Sequence, residues 1–224
     1  MDLVNRNYIR GTGHGPTWRV EIDPPNRPVS SYYKETCVAA EMVYSQRVGR
    51  LHLCYSGGMD SEYVLNVFLS LGMDIQPVIM RTAYNRHDID YAFKFCQNRN
   101  INPIVIDLDF DKFVESGQFL EIARSMKCAA YQIPANMWLT SQINGTVLTG
   151  DWIPHLTPEN GVWRLGDEEY GHRQLDYFKN NHIEGTPFFL CYTPEMMLSF
   201  LLEPKMVELA NNKIYGKLGN HSSK

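Results

Sequence analysis

The spacing of apolar positions along the chain changes period several times, and each change marks a predicted element. Residues 33 to 47 hold good helix formers without Gly or Pro and place Ala39, Met42 and Val43 on one face, which predicts a helix. Residues 51 to 55 are a short apolar run, a predicted strand. The following segment repeats Val64, Val67, Phe68 and Leu71 at i, i+3, i+4 and i+7, with Leu65 and Leu69 forming a second apolar side. That helix ends at Gly72. Ile75 to Met80 reads as a second strand, weakened by Pro77. Ile89, Ala92, Phe93 and Cys96 return to the helical spacing, and Ile104 to Ile106 to the strand-like run. A helix over Ala130 to Gln142 and a strand over Thr146 to Thr149 follow. Strands separated by helices of this length predict an α/β fold, a doubly wound and mostly parallel sheet with helices on both faces.

The flanks carry weaker patterns. Residues 1 to 30 are rich in Gly, Pro, Arg and Asn and contain one strand-like piece, Trp18 to Ile22, so they read as an arm or edge strand. The core spans residues 31 to 151. Residues 152 to 190 have no clean period and read as an irregular lid or substrate extension, and residues 152 to 224 belong to the same domain as the core. Thr193-Pro194-Glu195 supplies an N-cap, a Pro at the first helical position and an early acid, opening a helix to about Leu202. The polar tail from Asn211 is expected to fray.

Composition narrows the function classes. The 224 residues are 44% hydrophobic, 12% aromatic and 21% charged, enough for one ordinary folded domain. The 21 Lys and Arg against 25 Asp and Glu leave a net charge of -4, which argues against duplex DNA binding through a broadly basic surface. No apolar run reaches membrane-spanning length, and the amino terminus has no apolar signal core, so the expected compartment is cytoplasmic. The five cysteines form no C-x-x-C pair, and the seven histidines show no close pair at helical spacing, so neither a zinc site nor a disulfide framework is predicted. Cys54 and Cys96 sit on apolar faces and read as core; Cys128 and Cys191 lie outside the core periodicity.

The chemistry concentrates in Leu51 to Leu65, LHLCYSGGMDSEYVL. A buried strand, a glycine turn and the amino end of a helix make an anion site: backbone N–H groups point outward, Gly57 and Gly58 allow close approach, and the helix dipole favours negative charge. Ser56 and Ser61 add hydroxyls. Asp60 beside such a site asks for a cation, and Mg²⁺ is the usual answer. The plain alternative is a steric glycine turn with Asp60 capping the helix.

The pattern S-G-G-x-D-S, matched by Ser56, Gly57, Gly58, Asp60 and Ser61, resembles the pyrophosphate loop of the N-type ATP pyrophosphatases. That superfamily contains asparagine synthetase, GMP synthetase, NAD synthetase, argininosuccinate synthetase and several tRNA-modifying enzymes. The resemblance in arrangement covers roughly residues 35 to 151 and is nearest in pattern to the synthetase domain of asparagine synthetase. It implies a Rossmann-like fold of the HUP type, ATP and Mg²⁺ as cofactors, and attack of a substrate oxygen on the α-phosphorus to give an adenylate and pyrophosphate. It implies nucleotide contacts from Ser56, Gly57, Gly58, Met59, Asp60 and Ser61, catalytic roles for Asp60 and Ser61, and metal binding by Asp60. Gly150 and Asp151, at the end of the fourth strand, match the glycine and acid that border the nucleotide and hold metal in asparagine-synthetase-like members, although Trp152-Ile153-Pro154 replaces their further acids. Arg81, just past the second strand, borders the adenine or ribose or is simply solvated. There is no G-x-x-x-x-G-K-[ST] for kinase-type transfer.

Three functions stay open. The first is an adenylating enzyme that activates a carbonyl or carboxyl oxygen of a small substrate for ammonia or another amine; without an amino-terminal nucleophilic cysteine it takes free ammonia or relies on a donating partner. The second is sulfur transfer, as in tRNA thiolation or adenylyl-sulfate reduction, which needs a sulfur-donating partner or cysteine; Met59 stands where the sulfate reductases carry lysine. The third is a nucleotide-binding module without turnover. A homodimer and an RNA partner are also compatible with the sequence. Two further patterns are discounted. Gly11, Gly13 and Gly15 lack a preceding strand and meet Pro16, so they read as a mobile arm; Asp107, Asp109 and Asp111 lack the glycine and glutamate of a calcium loop and more simply end a strand and cap a helix.

Overall fold

The computed structural model describes residues 9–12, 19–128, 132–150, 155–159, 162–166 and 169–211. A hairpin of β1 (Ile9–Thr12) and β2 (Arg19–Ile22) comes first, so Gly11 lies in a paired strand rather than a mobile arm. Then follow α1 (Tyr32–Gln46), β3 (Leu51–Cys54), α2 (Met59–Ser70), β4 (Gln76–Arg81), α3 (Arg86–Asn98), β5 (Ile104–Asp107), α4 (Phe110–Glu115), α5 (Gln118–Ser125), α6 (Gln132–Ser141) and β6 (Thr146–Thr149). The chain continues through a second hairpin, β7 (His155–Glu159) with β8 (Val162–Gly166), then α7 (Glu169–Asn180), β9 (Gly185–Thr186), α8 (Pro194–Leu201) and α9 (Pro204–Asn211).

Five strands form one parallel sheet in the order β5-β4-β3-β6-β9. Alternation sorts its side chains to two cores. Leu51, Leu53, Tyr55, Ile79 and Leu148 pack with α1, α2, α3 and α8. Val147 packs on the other side with Met137 of α6 and Phe178 of α7, where Cys54 joins them. The sheet is therefore doubly wound, and its chain order reverses between β3 and β6. Such a reversal opens a crevice at the carboxyl ends of the strands. Among the described residues no helix is long and apolar enough to cross a membrane.

Pro77 is accommodated by register. Val78 accepts the Tyr55 N–H from the β3 side, so Pro77 faces β5, whose pairing begins only at Val78. The buried Gln76 amide donates to the carbonyls of Pro77 and Asn102 at that gap.

Several expectations need correction. Met42 is exposed, and Ala40 takes its place in the α1 interface, because small residues let α1 approach the sheet helices closely. Residues 152 to 190 are not irregular: they contain the β7–β8 hairpin, α7, and β9, which hydrogen-bonds to β6 as the fifth strand. Residues 26 to 30, within the segment read as an arm or edge strand, are anchored by side chains of α1 and α8. The buried Glu35 carboxylate accepts from both Arg27 guanidinium nitrogens and from the Ser30 N–H, and Glu195 of α8 accepts the Asn26 N–H. Position 13, position 15 and the tail beyond 211 lie outside the described residues.

The Arg27 guanidinium holds the Glu35 carboxyl below the usual carboxylate range. Glu35→Ala leaves Arg27 and the Ser30 amide without their acceptor, and about 2 to 3 kcal/mol of stability should be lost, discounted for the half-exposed arginine. A carboxyl whose native pKa is depressed contributes stability above its unfolded pKa and loses it as pH falls through the native one. Urea midpoints should therefore converge for wild type and Glu35→Ala in acid and separate toward neutral pH.

Candidate functional site

A cleft of about 770 Å³ opens at the carboxyl ends of β3, β4 and β6, at the reversal of strand order. Its size and position are those of a small-ligand site. One wall is the turn from β3 into α2. Gly58 is the N-cap of α2 and has no side chain with which to satisfy the first N–H groups of the helix, which lack intrahelical partners. Glu62 makes the first helical bond, to the Gly58 carbonyl. The N–H groups of Met59, Asp60 and Ser61 and the positive end of the helix dipole are thus left for an anion.

The turn is held by its two serines. Ser61 Oγ, buried under the turn, donates to the Gly58 carbonyl at 3.1 Å and accepts the Ser56 N–H at 3.3 Å. Ser56 Oγ lies 3.1 Å from Ser61 Oγ and accepts the Gly58 N–H at 3.2 Å. With its proton on the Gly58 carbonyl, Ser61 shapes the turn in this state, and the backbone supplies the donors. Ser61→Ala should cost about 1.4 kcal/mol of loop order, read in a titration as an approximately tenfold weaker affinity for an anionic probe such as inorganic pyrophosphate.

The two glycines differ in role. Gly57 has φ +80°, and a Cβ there would stand 2.8 Å from the Asp88 carbonyl oxygen and 3.0 Å from the Ala92 nitrogen, so its bareness serves packing against α3. Gly58 has ordinary dihedrals and faces the cleft, and a Cβ there would meet only Ser56 Oγ, at 3.2 Å. Gly150 closes the opposite side: a Cβ there would be 3.0 Å from Ser61 Cα and nitrogen, which brings β6 against the start of α2.

Asp60 faces the cleft without a cationic partner among the described residues, and partial burial raises its carboxyl pKa. Ser56, Gly58, Asp60, Ser61 and Gly150 line the cleft together. Met59 points to solvent at 84% exposure, so its backbone alone bears on the site. Arg81 is not among the lining residues; its guanidinium makes two bonds to the Asp107 carboxylate, at 2.5 and 2.8 Å, on the outer edge of the sheet. Asp151 lies outside the described residues.

The opposite wall was missed by sequence reasoning. Thr82, Tyr84 and Asn85 come from the β4–α3 connection, Phe110 and Asp111 from α4, and Gln132 and Asn136 from α6. Asn85 fixes the connection by accepting the Thr82 N–H and donating to the Met80 carbonyl, both at 2.9 Å. The available signal was an Asn, a frequent turn former, directly after a strand's carboxyl end. Asp107 does end β5, and Asp109 caps α4 by accepting the Lys112 N–H. Cys96 is core, while Cys54 is half-buried and shared between core and cleft wall. Cys191 is fully buried.

No protein-family model matches the chain, and no curated protein does. Among solved structures, it is similar to a predicted subunit of tRNA methyltransferase from Methanocaldococcus jannaschii, at 15% identity and a TM-score of 0.41, over 68% of this chain and 75% of that one. It is also similar to a glutamine-dependent NAD+ synthetase from Acinetobacter baumannii, solved with adenosine diphosphate, at 14% identity and a TM-score of 0.39, over 58% of this chain and 27% of that one.

Proposed function

We propose that the chain is an ATP pyrophosphatase that adenylates a carbonyl or carboxyl oxygen of a small substrate, releasing pyrophosphate, for amidation or ligation. The observation that carries this reading is the bare amino end of α2, open at the crevice with Asp60 beside it. Its N–H groups hold the β and γ phosphates, so charge that develops on the departing pyrophosphate meets donors already aimed at it. The α-phosphorus then faces the rest of the cleft, where an acceptor oxygen attacks in line.

Mg²⁺ fits this donor set in a limited way. No group of three or more His, Cys, Asp or Glu able to hold a metal occurs among the described residues, so a free-standing metal cage is not what they build. Mg²⁺ takes one or two carboxylates together with substrate phosphates and waters, and Asp60 supplies one carboxylate at the right wall. When bound, the ion neutralises charge on the leaving pyrophosphate. Asp151 is a second candidate ligand by sequence position alone. The amine or ammonia that consumes the adenylate comes free or from a partner.

Sulfur transfer is the weaker reading: Cys191 is fully buried and burial pushes the Cys128 thiol up, which leaves half-buried Cys54 as the one cysteine on the cleft wall among the described residues. A module without turnover has no use for Asp60 beside its phosphates. Incubation with ATP, Mg²⁺ and candidate acceptors, followed by product analysis, should give AMP and pyrophosphate; ADP and phosphate as products would refute the assignment. Replacing Cys128 and Cys191 together should spare that activity.

A further inference from the structure

The amino edge of the central sheet, at the far end from the cleft, buries a histidine that the proposed chemistry does not use. His52 lies in β3 between Gln76 of β4 and Val147 of β6 and is 6% exposed. Alternation turns its ring to the face on which Val147 packs, away from Leu51 and Leu53. Its Nδ1 is buried without a hydrogen-bond partner. A neutral ring nitrogen left in that state costs some stability, and a charged ring costs far more, because it gives up its water.

The ring sits where two strands are fastened. The Thr146 N–H donates to the Arg50 carbonyl at 3.0 Å, and the Thr146 hydroxyl accepts the Val48 N–H and donates to the Val48 carbonyl, at 2.8 and 3.0 Å. A Cβ on Gly145 would stand 2.5 Å from the Arg50 carbonyl oxygen and 3.3 Å from His52 Cε1, so β6 enters the sheet flush against the ring. Two charged side chains act on the imidazole in opposite senses: Arg50 resists its protonation and Asp74 favours it, and the two pair with each other at 3.5 Å in solvent. Arg47, in the turn before β3, lies over the Tyr44 ring. At this edge β4 offers the Gln76 amide, which donates to the Pro77 and Asn102 carbonyls, and α6 with the turn after it carries no ionisable side chain. From the side of α7 and β9 the ionisable groups at this edge are Tyr177, Lys179, His182 and Glu184. Burial outweighs Asp74 and the nearby backbone carbonyls and holds the imidazole below its ordinary range.

We infer that His52 is a proton-sensitive fastener of the β3–β6 seam: the two strands hold at their amino ends while the ring is neutral, and they part in mild acid, where the opened chain takes up a proton on it. Nothing in this depends on what the cleft binds. The native ring refuses a proton that the opened chain accepts below about pH 6.5, so stability present at neutral pH is lost as pH falls through that value. Both strands run on to the cleft, at Cys54 and Thr149, so the seam lies beneath the site.

Amide hydrogen exchange on the full chain, read at Thr146 and corrected for the intrinsic rate at each pH, measures the seam directly. Between about pH 7.5 and pH 5.5 the opening constant at Thr146 should rise about tenfold in the wild type and stay nearly level in His52→Leu, and the urea unfolding constant should show the same difference. Glu35 and Asp60 titrate in both proteins and cancel in the comparison. Should His52→Leu fail to fold, the wild-type ring is followed alone by NMR. Its carbon-bound protons should keep their neutral-ring positions down to about pH 5.5 for as long as the Thr146 amide stays protected. A ring that charges in the ordinary histidine range while that amide remains protected would overturn the inference, as would a pH dependence at Thr146 equal in wild type and His52→Leu.

Discussion

Asp60→Ala should bind ATP within a few-fold of wild type and form AMP and pyrophosphate at least about 10³-fold more slowly. The asymmetry follows from position. On the proposed reading, the backbone donors at the start of α2 would grip the ground-state phosphates whether or not the carboxylate is present, while Asp60 would hold the Mg²⁺ that neutralises charge appearing as the pyrophosphate leaves. Its raised pKa adds two further signatures. A carboxyl that holds its proton more tightly in the native state destabilises the fold above its unfolded pKa, so removing it should raise the ligand-free unfolding midpoint at pH 7 while activity collapses. The acid limb of the rate profile should also begin above the usual carboxylate range and move to lower pH as Mg²⁺ is increased. A rate unchanged by the substitution would remove Asp60 from the mechanism, and a midpoint that falls would mean that its role is structural.

The lip of the cleft to which the chemistry is assigned in the proposal was legible because it is local. A strand, a glycine turn and a helix start lie within fifteen consecutive residues, and their spacing alone places Ser56, Gly58, Asp60 and Ser61 on one lip. The other lip is not local. Tyr84, Asp111 and Asn136 lie on three separate segments, and only the crossover from β5 to β6, over α4, α5 and α6, brings them to one cleft. The sheet was readable where its strands are continuous apolar runs, as in β3 and β6. It was unreadable at β9, two residues long and made of Gly and Thr, whose place depends on β6 being there to receive it. In α1 the period was right and the face was off by one neighbour, because the buried contact is made by alanines and leaves the larger Met42 to solvent.

Alanine at two adjacent glycines should separate folding from binding. At Gly57 the new methyl would enter at φ +80° and run into the Asp88 carbonyl and the Ala92 nitrogen, both backbone atoms of α3 that cannot turn aside. Left-handed strain and overpacking together predict a loss of about 3 kcal/mol and a fall of about 6 to 12 °C in the unfolding midpoint. At Gly58 the dihedrals suit any residue, and the one near atom is the Ser56 hydroxyl, which can rotate by the few tenths of an ångström required. Gly58→Ala should therefore melt within about 2 °C of wild type yet bind ATP at least tenfold more weakly, because its methyl occupies the space before the helix N–H groups that a phosphate needs. Calorimetry and nucleotide titration on the pair decide the matter. Equal melting of Gly57→Ala and wild type would mean that the loop does not lean on α3 as described, and undiminished affinity in Gly58→Ala would mean that the phosphates sit elsewhere in the cleft.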